Sequence, residues 1–258
     1  MSALIDLRAE ATVGAHLLTD LPELTAQERQ AAIETWRGRM VNEHISARVF
    51  GSLLGQAMQA GVCASRLAEL AAFASEELRH ARQCASAVCA LGGEAVAPLP
   101  PLPKVPEHAD AADPMEALLR NVISVCCMSE TVAVALIRAE TLEIGPPTLR
   151  KVLDSILADE VGHARWGWTL VREIAQPDPE LCQRLNRYLP VAFEHLVIHE
   201  LAHLPAHDGW GQSAAQIGVC SGEAARALFF DTVGQVIAPG LDDCGLAGTV
   251  AWAQVVTG

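Results

Sequence analysis

Six residues have the types and spacing to do chemistry together. They are Glu43 in MVNEHISARVF, Glu77 and His80 in ASEELRHARQC, Glu130 in VCCMSETVAVAL, and Glu160 and His163 in ADEVGHARWGW. Each lies in an apolar run with helical character. Side chains three apart on a helix share a face, so each Glu-x-x-His offers a carboxylate and an imidazole to one point. A lone glutamate precedes each pair, by 34 and by 30 residues. Four carboxylates and two imidazoles gathered in an apolar interior cost far too much as bare charges. Two divalent ions would balance the four carboxylates, and neutral imidazole nitrogens would complete the donor set.

Four long helical patterns position these residues, and strand signals are nearly absent. The first is expected from about Thr25 to about Gly61, and the second from about Ser65 to Gly92–Gly93. The third begins near Pro114, a residue suited to a first helical turn, and stops at Gly145. The fourth opens at PPTLRK and ends near Gln176. Short turns join the first helix to the second and the third to the fourth, which predicts two antiparallel hairpins. Between the hairpins runs GEAVAPLPPLPKVPEHADAADP, too long and too rich in proline for an ordinary loop in a compact domain. A four-helix bundle with one long crossover accommodates it. Two further helices are expected at about Pro179–Leu204 and Ser221–Val236, packed on the bundle and followed by a small-residue tail. The division is therefore 1–24 as an N-terminal segment, 25–176 as the bundle and 177–258 as a helical extension.

Across residues 25–176 the sequence resembles the ferritin-like superfamily of di-iron carboxylate proteins. All six ligand positions carry the residue types that family uses, and the crossover falls where the family places it. The resemblance implies an all-α, ferritin-like fold and two iron ions at Glu43, Glu77, His80, Glu130, Glu160 and His163, with manganese the alternative. It further implies O2 activation at the centre and, for an oxygenase, an external electron donor. A metal-free bundle with buried Glu–His hydrogen bonds is the competing reading of the same residues. Glu76 and Asp159 lie one turn before His80 and His163 and are candidate acceptors for the second imidazole N–H, or else solvent-facing acids. Arg79 and Arg165 could balance them. Tyr188, the only tyrosine, is outside the bundle, so a tyrosyl radical beside the metals has no residue to form on. Ile156 stands where an additional histidine ligand would be needed.

Composition narrows the classes. With 18 basic against 31 acidic residues the formal charge is −13, which disfavours nucleic acid and anionic membranes as partners. Mean hydropathy is positive, at +0.24, so a sizeable core is available. No secretory signal pattern and no uninterrupted apolar span of membrane length is evident, and the eight cysteines form no Cys-x-x-Cys pair. A cytoplasmic location is the simpler expectation. Cys126 and Cys127, close to Glu130, are expected as packing residues rather than ligands.

One motif competes. His199-Glu-Leu-Ala-His203 matches the zinc-peptidase pattern, with Glu200 as base and Glu223 as a further candidate ligand. It also belongs to a ladder of His195, His199, His203 and His207, the commoner mark of a histidine-rich helix face. The six converging residues outweigh that motif, and the long C-terminal region, whose helices could cap the bundle and shape a pocket, favours an oxidase or oxygenase acting on a small organic substrate. A ferroxidase is the alternative, favoured by the acidic charge, and a dinuclear peroxidase or catalase is the third. The resemblance makes a homodimer through bundle faces one possible assembly, and the residues themselves leave the oligomeric state open.

Overall fold

The computed structural model describes residues 3–11, 18, 20–101, 104–204 and 212–257. The chain opens with a short strand, β1 (Leu4–Asp6), and one helical turn, α1 (Arg8–Ala11). Helix α2 (Ala26–Gln59) starts at a reciprocal cap. The Thr25 hydroxyl accepts from the Glu28 N–H at 3.2 Å, and the Glu28 carboxylate accepts from the Thr25 N–H at 2.9 Å. The helix stops before Gly61, whose φ of 74° is the left-handed exit that glycine adopts without strain. Helix α3 (Ala64–Ala90) returns antiparallel to α2.

The crossover carries a strand the sequence did not announce. β2 (Val96–Pro98) pairs antiparallel with β1, Leu4 opposite Pro98 and Asp6 opposite Val96, and so ties the N-terminal segment to the link. The second hairpin begins at α4 (Pro114–Val122), capped by Asp113, whose side chain accepts from the Met115 and Glu116 N–H groups at 2.9 Å each. A π-helical stretch, Ile123–Ser129, joins α4 to α5 (Glu130–Glu143) in one rod. After a short turn comes α6 (Pro147–Ala175). The extension supplies α7 (Pro179–His203), α8 (Gln212–Ala215), α9 (Gly222–Thr232), a second π stretch at Val233–Ile237, α10 (Ala238–Asp243) and α11 (Gly248–Thr257). The last helix lies where the sequence suggested only a tail.

Two apolar cores fill the molecule. One gathers Phe50, Leu53, Leu70, Leu119, Met128 and Trp166, and it includes Leu189 and Phe193 of α7 and Phe229 of α9, so the extension shares it. The other gathers Trp36, Met40, Val88, Leu153 and Ile156 with Ile5 and Ile217. On α2 the boundary between them falls between Met40 and Phe50, on α3 between Phe73 and Ala81, and on α6 between Ile156 and Trp166. Those are the intervals that hold Glu43, the Glu77–His80 pair and the Glu160–His163 pair. The polar residues thus form a layer between two oily halves. Gly167 lets α6 approach the π stretch closely, since a Cβ there would stand 2.3 Å from Cys126 Cβ.

The Pro114–Glu143 rod is long and apolar enough to cross a membrane by length and composition. One side of it packs against the other helices, burying Glu116, Arg120, Glu130 and Glu140. The fold is an all-α four-helix bundle with one long crossover.

Candidate metal centre

Four helices deliver the six residues to one place. Glu77, His80, Glu160 and His163 are almost wholly buried, and Glu130 is 8% exposed. The Glu43 side chain is the most open of the set, at 16%. Two groups have ligand atoms lying within 4.8 Å of one another: Glu43, Glu77, His80 and Glu160, and Glu77, Glu130, Glu160 and His163. Glu77 and Glu160 belong to both. Two adjacent metal positions, each with one imidazole and one carboxylate of its own and two shared carboxylates, is the arrangement this overlap describes.

The histidines are turned for that role. His80 Nδ1 faces Glu160 at 3.3 Å, Glu43 at 3.4 Å and Glu77 at 3.9 Å. His163 Nδ1 faces Glu160 at 3.1 Å and Glu77 at 3.2 Å, with Glu130 at 4.0 Å. His80 Nδ1 is buried and makes no hydrogen bond, although carboxylate oxygens surround it. A buried lone pair left without a donor, ringed by anionic oxygens, fits a cation better than it fits any neighbour in the protein. The six residues fit two divalent metal ions.

The opposite ring nitrogens are held from outside. His80 Nε2–H donates to Asp159 and His163 Nε2–H donates to Glu76, both at 2.9 Å. Each acid therefore serves the histidine of the other helix, not the one a turn away along its own. Arg79 binds Asp159 in turn. Sequence spacing put both acids near the centre; the crosswise pairing depends on how α3 and α6 face each other. Phe50 and Phe73 pack on the His163 ring with centroids at 5.0 Å and 4.4 Å.

Electrostatics expose the strain of the bare cluster. Burial first, and then Glu160 and Glu43, push Glu77 up to about 9, against a hydrogen bond from His163. Burial and the Glu160 charge lift Glu130 well above the usual carboxylate range. Glu160, although buried, is held below that range by Glu130, by the His163 hydrogen bond and by the His80 imidazole that faces it. Burial opposes charge on the imidazoles too, yet Glu160 and Glu43 push His80 up to about 11, and Glu160 and Glu77 push His163 up to about 10. Protons gather where metal charge would otherwise sit, so metal binding here releases protons.

Other expected residues fall outside the centre. Cys126 and Cys127 are fully buried packing residues and belong to neither metal-capable group. Tyr188 hydrogen-bonds Ser124 of the π stretch and belongs to neither metal-capable group. His199, Glu200, His203 and Glu223 form no metal-capable group of three among the described residues, and His207 lies outside those residues. The π stretch that leads into Glu130 left no trace in the hydrophobic pattern. Such bulges are frequent at functional sites.

No protein-family model matches the sequence, and no curated protein matches it. A solved structure does: a protein from Synechococcus described as having aldehyde deformylating oxidase activity. The two share 18% identity with a TM-score of 0.63, over 91% of this chain and 98% of that one. The likeness is one of fold. It extends well beyond the bundle, since the covered share includes most of the extension.

Proposed function

We propose that this chain is an O2-dependent oxidoreductase that acts on an apolar organic substrate, with an aldehyde as the substrate class to be tried first. The overlap of two four-residue donor sets through Glu77 and Glu160 carries the reading, because it describes a pair of adjacent metals rather than a single ion. Iron suits a site with four carboxylates and one imidazole per metal, and bound there it supplies the reduction of O2. Glu77 and Glu160 hold the two positions together, while Asp159 and Glu76 fix the imidazole tautomers so that both Nδ1 lone pairs point inward. The two apolar cores keep bulk water from the layer between them. Glu43, the most open ligand, marks the side from which a substrate reaches the centre. Packing of α7, α9 and α11 into the bundle core supports a closed pocket over a bare shell-forming bundle. The activity described for the structural neighbour supports an aldehyde.

The test is single-turnover chemistry on protein loaded anaerobically with Fe2+, given a chemical reductant, O2 and straight-chain aldehydes of several lengths. Formate released in step with aldehyde consumed, and lost in Glu160→Ala, is the expected result. Fe2+ oxidation with no change in any aldehyde, followed by iron retention in the protein, would overturn it in favour of a ferroxidase.

A further inference from the structure

The His199-Glu-Leu-Ala-His203 end of α7 has no part in the bundle centre, yet its geometry is that of a ligand pair. Both histidines lie on the exposed face of the helix, one turn apart. Their rings are adjacent, with centroids 4.3 Å apart and planes tilted by 42°. His203 Nδ1–H donates to the His199 carbonyl at 2.7 Å. That bond fixes the His203 tautomer and leaves the Nε2 lone pair on the side of the ring away from the backbone. Metal-bound histidines are ordinarily oriented in this way, with the second N–H tied to a carbonyl or carboxylate.

We propose that His199 and His203 form a second, surface metal site for a divalent ion of imidazole preference such as Zn2+, Ni2+ or Cu2+, with water completing its coordination. Two side chains at this spacing on one helix reach a common point, and imidazole is a favoured donor for these ions. The chain's charge of −13 raises the local concentration of cations around it. The site differs in kind from the bundle centre: it is open and built of neutral nitrogens, whereas the centre is closed and rich in carboxylate.

The pair is not the zinc site of a peptidase. Glu200, which would have to face a metal-bound water, is partly buried, off the exposed face that carries the two histidines. Glu223 joins no metal-capable group with the histidines among the described residues.

The experiment is Ni2+ titration of the untagged full-length chain by calorimetry, comparing wild type with His199→Ala, His203→Ala and Glu200→Gln. Wild type is expected to bind one equivalent more than either histidine variant, and Glu200→Gln is expected to match wild type. Both histidines are exposed, so the variants keep the fold, and circular dichroism verifies it. Equal stoichiometry in wild type and both histidine variants would overturn the proposal. Loss of the equivalent in Glu200→Gln would overturn it as well, because the glutamate would then belong to the site. Neither outcome depends on iron or on the activity proposed above.

Discussion

His80 of α3 gives its outer N–H to Asp159 of α6, and His163 of α6 gives its own to Glu76 of α3, each at 2.9 Å. The two ligand helices are thus laced to each other through the histidines they carry. An acid on one helix sets the angle of the imidazole on the other, and the Arg79–Asp159 pair anchors one of those acids.

Removing one lace should therefore affect the site on the opposite helix. Asp159→Ala is expected to weaken the ion held by His80, by about 10–100-fold in affinity. The other ion, held by His163 and Glu130 with Glu76 behind the imidazole, should stay. Chelator competition followed by iron analysis would show occupancy falling from two towards one per chain. Loss of both ions together would contradict the crosswise pairing.

Shared and private ligands should behave differently. Glu77 belongs to both metal-capable groups, and Glu43 to one. Glu77→Ala should empty both positions, whereas Glu43→Ala should spare the ion bound by Glu130 and His163. Metal content after anaerobic Fe2+ loading separates the two cases, and equal losses would argue against a bridging Glu77.

Two glycines on α6 predict opposite changes in stability. At Gly167 a methyl group would meet Cys126 Cβ at 2.3 Å, and overpacking of this kind costs about 1–3 kcal/mol. At Gly162 nothing lies within 4 Å of the added carbon, and replacing glycine by alanine in a helix gains up to about 1 kcal/mol. Chemical denaturation of Gly167→Ala and Gly162→Ala should move the midpoint down and up respectively.

A third group of buried charges gives a pH signature. Glu116 is buried on α4, where burial alone would raise its pKa. The Ala112 N–H, Arg120 and Arg184 outweigh burial and hold its carboxyl below the usual range. A group depressed in the folded state contributes stability above its unfolded pKa and loses it as pH falls through the folded one. The Tm gap between wild type and Glu116→Gln should be full at pH 7 and close below about pH 4. A gap that persists unchanged at low pH would show that charge at Glu116 is not what stabilises the end of the bundle.

Much of this architecture was legible in the residues. Thr25 with Glu28, and proline or aspartate at the starts of α4, α6 and α7, are local signals, and they placed helix ends within a few residues. The gathering of the six residues was legible because burying carboxylates and imidazoles is too costly to happen by accident. The partners of Glu76 and Asp159 were not, since spacing along one helix says nothing about the helix across from it. β1 and β2 are three residues each, too short for alternation to register. α11 carries Gly, Ala, Val and Thr where a helix of polar and apolar stripes would be recognised.

The π stretch Ile123–Ser129 makes the tolerance of this rod to insertion and deletion uneven. A wide turn holds one residue more than an ordinary helix would at the same place. Deleting a single residue there would turn the wide turn into an ordinary one and leave Glu130 where it stands, whereas the same deletion just before it, in the ordinary turns after Arg120, would rotate everything that follows by about 100°. Glu116 and Arg120 would keep their partners in both cases, while in the second Glu130 would swing away from Glu160 and His163. The rod would still fold either way, but only the second deletion would leave five of the six residues at the polar layer.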